Sequence, residues 1–178
     1  PSMGAFVMNM ETSVFEKYLK YYQDIQKHAS YPRIHENHQA LISGTHANGR
    51  NFLILQGGVS LMAILLAPKL FQWLDINFLQ LSIFRLGVLG SFFHVMVLFL
   101  GIMLSYFDFR GAMVSISLVF LTSNVLFTLI SMDMGFPYYG FGYAGSTMLT
   151  FVVGFILVFQ RLLHLPYHTF VTQNESVQ

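Results

Sequence analysis

Four stretches, residues 51–67, 86–106, 112–132 and 141–160, contain no Lys, Arg, Asp or Glu. Each is close to the roughly twenty apolar residues that cross a bilayer as a helix. In lipid a lone strand would leave its amides unpaired, so each must satisfy its backbone internally as a helix. Only 10% of the 178 residues are charged and 54% are apolar, where an average soluble domain carries about 25% charged residues. Mean hydropathy is +0.58. The chain therefore reads as an all-α integral membrane protein with about four transmembrane helices. Span one is the shortest, and it either ends near Pro68 and Lys69 or runs on toward Trp73.

Basic residues set the expected orientation, because Lys and Arg are retained on the cytoplasmic side. Lys17, Lys20, Lys27, Arg33 and Arg50 precede span one, Arg110 lies between spans two and three, and Arg161 follows span four. Only Lys69 and Arg85 fall on the other side, both beside apolar ends where long side chains snorkel. Both termini are thus expected in the cytoplasm. Residues 1–50 read as the end of a preceding span plus cytoplasmic amphipathic helices, 51–160 as the four-helix membrane region, and 161–178 as a cytoplasmic tail. The opening "PSMGAFVM" has no basic region before an apolar core, so it is no signal peptide. It resembles the last turns of an apolar helix, as expected of a fragment whose upstream part is missing.

In residues 12–28, Val14, Phe15, Tyr18, Leu19, Tyr22 and Ile25 recur at helical spacing. Glu16, Lys17, Lys20, Gln23, Asp24 and Lys27 stand between them, and Ser13 and Glu16 have capping-box spacing. A helix lying along the cytoplasmic membrane face is expected, with a soluble partner as the other use of its apolar side. Pro32 reads as the first turn of a second helix leading into span one.

The chemistry-bearing inventory is short. With no cysteine, thiol nucleophiles and thiolate metal sites are excluded. Of His28, His35, His38 and His46, the pair His35 and His38 could share a metal, but residues 35, 38 and 46 spread too widely around a helix for a well-placed third zinc ligand. No metal site and no cofactor are expected. No paired carboxylates, activated nucleophile or phosphate loop is present, so the chain does not read as an enzyme. A net charge of +1 implies no nucleic-acid partner.

Each span does carry a face of small or polar residues. These are Gln56, Ser60, Ala63 and Ala67 in span one, and Gly87, Ser91, His94, Gly101 and Ser105 in span two. Span three has Ser117, Asn124, Thr128 and Ser131, and span four has Gly142, Ser146, Thr150 and Gly154. Such stripes pack helices closely, with hydroxyls and amides bonding across the gap, or they line a watery pathway. His94 and Asn124 are costly in lipid and face protein or water. His94, Ser91, Asn124 and Thr128 are therefore the cavity-lining candidates. His94 admits two readings, a proton site or a hydrogen-bonded structural residue. The "SYFDFR" turn carries Asp108 and Arg110, spaced to pair or to cap the next helix, with Tyr106, Phe107 and Phe109 expected at the interface. The opposite turn, "PYYGFGY", offers Tyr138, Tyr139 and Tyr143, as stacking surfaces for sugar rings or as an interfacial aromatic belt.

"YFDFR" at 106–110, "MGFPYYGFGYAG" at 134–145 and "LLHLPYHTF" at 162–170 occur in an order that resembles the C-terminal part of the Pel exopolysaccharide transporter family, PelG. "ETSVFEKYLKYYQDI", "QGGVSLMAILLAP" and "FRLGVLGSFFHVM" resemble the same family. The resemblance covers essentially the whole chain. It implies part of a two-lobed MOP-type flippase of about twelve helices, which moves the Pel polysaccharide, rich in N-acetylhexosamine, across the bacterial inner membrane. It also implies as partners a cytoplasmic glycosyltransferase and small Pel membrane proteins. The competing expectation is a non-transporting membrane subunit that anchors a cytoplasmic polysaccharide synthase.

Overall fold

The computed structural model describes residues 16, 19, 20, 23, 24 and 31–163. The opening residues, Ser13 of the capping box, most of the 12–28 stretch and the tail from 164 lie outside the described residues. Four long helices follow in order: α1 (Tyr31–Trp73), α2 (Leu81–Tyr106), α3 (Arg110–Asp133) and α4 (Phe141–Leu163). Single 3-10 turns occupy Phe78–Gln80 and Phe136–Tyr138. Among the described residues there is no strand, and all four helices are long and apolar enough to cross a membrane. The chain forms two compact units, Pro1–Val59 and Ser60–Gln178.

In the first unit, α1 opens with Pro32 in its first turn, where a missing N–H costs nothing. Its buried face runs through His38, Leu41, Thr45 and Phe52, at the three- and four-residue steps of a packed helix. Asp24 departs from expectation. It is buried, accepts a hydrogen bond from Asn37 and pairs with Arg33 at 3.3 Å. A carboxylate taken from water needs such partners, so this position faces α1 rather than solvent. Glu16, Lys20 and Gln23 are exposed.

Span one is one continuous helix with the segment before it, and α1 continues through Pro68 and Lys69 to Trp73. Pro68 removes one backbone bond, to the carbonyl of Ile64, and the rest of the ladder holds. Helix α2 begins at Leu81 rather than 86, so Arg85 lies on the helix and not in the loop. The turn before it is set by Asn77, whose side chain accepts the Leu79 N–H at 3.0 Å.

In the second unit α4 packs along both α2 and α3, while α2 and α3 touch each other far less. The small face of α4 explains this. Gly142, Ser146, Thr150 and Gly154 are all buried. A β-carbon on Gly142 would lie 2.7 Å from the backbone of Thr128, and one on Gly154 would lie 3.1 Å from Leu100. The stripe of span four is a packing face. Its hydroxyls do not bridge to neighbouring helices as expected. Ser146 and Thr147 donate to the Tyr143 carbonyl at 2.9 Å, and Thr150 donates to that of Ser146 at 2.7 Å. In α3, Ser117 and Ser123 likewise bond back to Met113 and Val119.

Candidate substrate-pathway face

His94 sits midway along α2, where three helices meet. Its ring stands edge-on to Phe120 of α3, with centroids 5.2 Å apart, and lies tilted against Tyr143 of α4 at 6.1 Å. The Nδ1 atom is sealed from solvent and has no hydrogen-bond partner among the described residues. Tyr143 reaches this position because Gly90 leaves room, since a β-carbon there would fall 2.5 Å from the tyrosine ring.

Asn124 and Thr128 lie one turn apart on α3, both half-buried. The Thr128 hydroxyl donates to Asn124 Oδ1 at 3.1 Å. Ser91, one turn before His94, is exposed. Of the expected lining residues, His94 is brought against aromatic rings of α3 and α4, and Asn124 pairs with Thr128 along one helix. Neither pair is bonded to the other.

The α2–α3 turn behaves differently from its sequence reading. Phe107 and Phe109 are buried, 2% and 6% exposed, rather than open at the interface, and their ring centroids lie 6.4 Å apart. Phe109 also lies beneath the Arg161 guanidinium, 5.9 Å from the ring centre, tying the end of α4 to the turn. Asp108 adopts φ +55°, a left-handed conformation that Asp tolerates better than most residues. Its Oδ1 accepts from Arg110 Nε at 2.7 Å, and no side chain caps α3. Arg110 begins α3, where a cation opposes the helix dipole, and the Asp108 carboxylate offsets it. Both groups are exposed, so the pair contributes at most about 1 kcal/mol.

At the α3–α4 turn, Gly135 and Gly140 have φ of 94° and 96°, a region that favours glycine. They bracket the 3-10 turn and expose Tyr138 and Tyr139. Tyr138 leans on Phe141, with centroids 6.0 Å apart, and Tyr139 on Phe136 at 5.6 Å. A cavity of 330 Å³ opens here, lined by Phe127, Ile130, Ser131, Met134, Tyr138 and Phe141. That volume lies at the small end of ligand sites. Tyr143 is not part of this lining. Sequence reasoning missed Phe127, Met134 and Phe141, because apolar residues in a span carry no mark separating lipid contact from cavity wall.

No curated protein and no solved structure matches the chain. The family model for PelG, described as "Putative exopolysaccharide Exporter (EPS-E)", matches residues 1–170. With four apolar helices and a match over nearly its whole length, the chain belongs to the PelG family of exopolysaccharide exporters.

Proposed function

We propose that the chain forms the C-terminal transmembrane part of a MOP-type exporter that moves an exopolysaccharide across the bacterial inner membrane, with both termini in the cytoplasm. The observation that carries this beyond the family match is the aromatic cavity at the α3–α4 turn. By the distribution of basic residues this turn is the outward one, free of Lys and Arg. Sugar rings present C–H faces that rest on aromatic side chains, and their rims require hydrogen-bonding groups. Phe127, Tyr138 and Phe141 supply the first, and the Tyr138 and Ser131 hydroxyls supply the second. In this reading the polymer leaves past Tyr138 and Phe141 after passing the His94–Asn124 face. Asp108 and Arg110, on the cytoplasmic turn, hold the hairpin rather than touch polymer.

The test is secretion of polymer by cells expressing the intact exporter. Tyr138→Ala with Phe141→Ala should lower secreted polymer severalfold at unchanged membrane level. Tyr139→Ala, outside the cavity lining, should have a smaller effect. Equal secretion from the double variant and the parent would remove the exit site from this scheme. Labelling of Tyr139→Cys by an impermeant reagent from the cytoplasmic side alone would reverse the orientation.

A further inference from the structure

A second cavity, of 540 Å³, lies in the first unit beside α1, far along the chain from the face described above. The α1 residues lining it include Gln39, Ser43, His46 and Arg50, spaced four, three and four residues apart. They therefore form a single polar face three turns long. Among the described residues no carboxylate lines the cavity. Asp24, buried in this unit, is committed to Arg33 and Asn37.

The polar face stops at a defined level. Arg50 is the last charged residue before the charge-free stretch that begins at Asn51. One turn further on, Leu53 and Ile54 are 43% and 63% exposed, and a β-carbon at Gly58 would meet nothing within 4 Å. A cation at the apolar boundary, polar groups on one side of it and an open aliphatic face on the other match the order of parts in a phospholipid. We propose that this site holds one anionic phospholipid. Its phosphodiester lies at Arg50, its headgroup hydroxyls donate to the oxygens of Ser43 and Gln39, whose own donors go to the Ala40 carbonyl and to His35, and its acyl chains run along Leu53 and Ile54 past Gly58. Guanidinium suits phosphate because its N–H groups form a planar fork that can bond two oxygens at once. Basic pockets at the cytoplasmic membrane surface are where anionic headgroups concentrate. A soluble sugar or free phosphate would fill the polar half and leave the aliphatic face unused.

The experiment uses the intact exporter in nanodiscs of phosphatidylcholine, with or without phosphatidylglycerol, and counts retained phosphatidylglycerol by native mass spectrometry. The parent should keep one molecule through delipidation steps that strip phosphatidylcholine. Arg50→Gln should weaken retention roughly tenfold or more, as expected for loss of a charge-assisted bond. Arg50→Lys should recover part of it, because the point charge remains without the fork. Arg110→Gln, a charge-matched change at an exposed turn, should leave retention unchanged. Thermal unfolding of Arg50→Gln in phosphatidylcholine alone checks that the fold survives. Equal loss in Arg50→Gln and Arg110→Gln would show only general surface charge and overturn the site. Displacement of the lipid by inorganic phosphate would make it a free-anion site. Displacement by oligosaccharides cut from the secreted polymer, abolished in Arg50→Gln, would assign it to the substrate. Each of these outcomes is independent of the export result for Tyr138 and Phe141.

Discussion

Gly142→Ala tests the packing of α4 against α3 at its tightest point. The added methyl would stand 2.7 Å from both Cα and N of Thr128 and 2.9 Å from the carbonyl carbon of Phe127. Carbon atoms rest about 3.5–4.0 Å apart, so the helices must separate locally by roughly 0.8 Å or more. The obstacle is backbone, which cannot swing aside as a side chain can. Overpacking of this kind costs about 1–3 kcal/mol. Gly87→Ala and Gly101→Ala are the controls. Both lie within α2 and meet nothing within 4 Å. There the exchange gains helix propensity of up to about 1 kcal/mol. The two classes should differ by about 1–4 kcal/mol in reversible unfolding of the intact exporter in mixed micelles. If Gly142→Ala is as stable as Gly87→Ala, the helices do not approach this closely and α4 is not a packing seam.

Other substitutions follow from the same geometry. Gly90→Ala should lower stability by roughly 1 kcal/mol or more, and Tyr143→Leu made with it should relieve part of the loss, since the clash is with a movable ring; additive losses in the double-mutant cycle would show no contact. Asp108→Val should cost about 1–2 kcal/mol because a β-branched residue at φ +55° is strained, whereas Asp108→Gly should cost little, and equal effects in unfolding experiments would exclude backbone strain as the cause. Reversing both charges of the Asp108–Arg110 pair should be milder than the two single reversals added, but with a coupling under about 1 kcal/mol, since both groups are exposed. His94→Cys and Asn124→Cys should react with small water-soluble thiol reagents faster than Leu98→Cys. Inert cysteines at both positions in an exporter that still secretes polymer would make this face packing only.

The spans were legible because charge is so costly in hydrocarbon that its absence alone marks them. Their ends were less so. Arg85 ended the span as read from sequence, yet its stem is long enough to sit on a helix and reach polar surroundings. Pro68 left the end of span one open, since a membrane helix tolerates one lost backbone bond. The burial of Asp24 was hidden because its partners, Arg33 and Asn37, stand on the next helix, and amphipathic periodicity describes only one helix at a time. The buried Phe107 and Phe109 were hidden for a related reason. Aromatics beside a charged turn suit a membrane interface and a buried core equally well, and only the tertiary fold decides between them.

The back-bonded hydroxyls narrow what the polar stripes can do for a passing sugar. A serine or threonine hydroxyl has one proton to give. Ser117, Ser123, Ser131, Ser146, Thr147 and Thr150 each give theirs to a carbonyl of their own helix, and Thr128 gives its proton to Asn124. These residues can still accept a hydrogen bond but no longer donate one without breaking a bond in place. The side chains of the helix trio that retain donors near its middle are Ser91, His94, Tyr143 and the amide nitrogen of Asn124. A sugar both donates and accepts around its ring, so a pathway along this face draws its side-chain donors from those four groups. Asn124→Leu is close in size, inserts readily and removes the amide donor. It should therefore impair secretion more than Thr128→Val, which removes a hydroxyl already spent within the helix. A larger defect from Thr128→Val at equal membrane level would show that the stripe acts through its acceptors and that the Asn124 amide is not a donor the sugar needs.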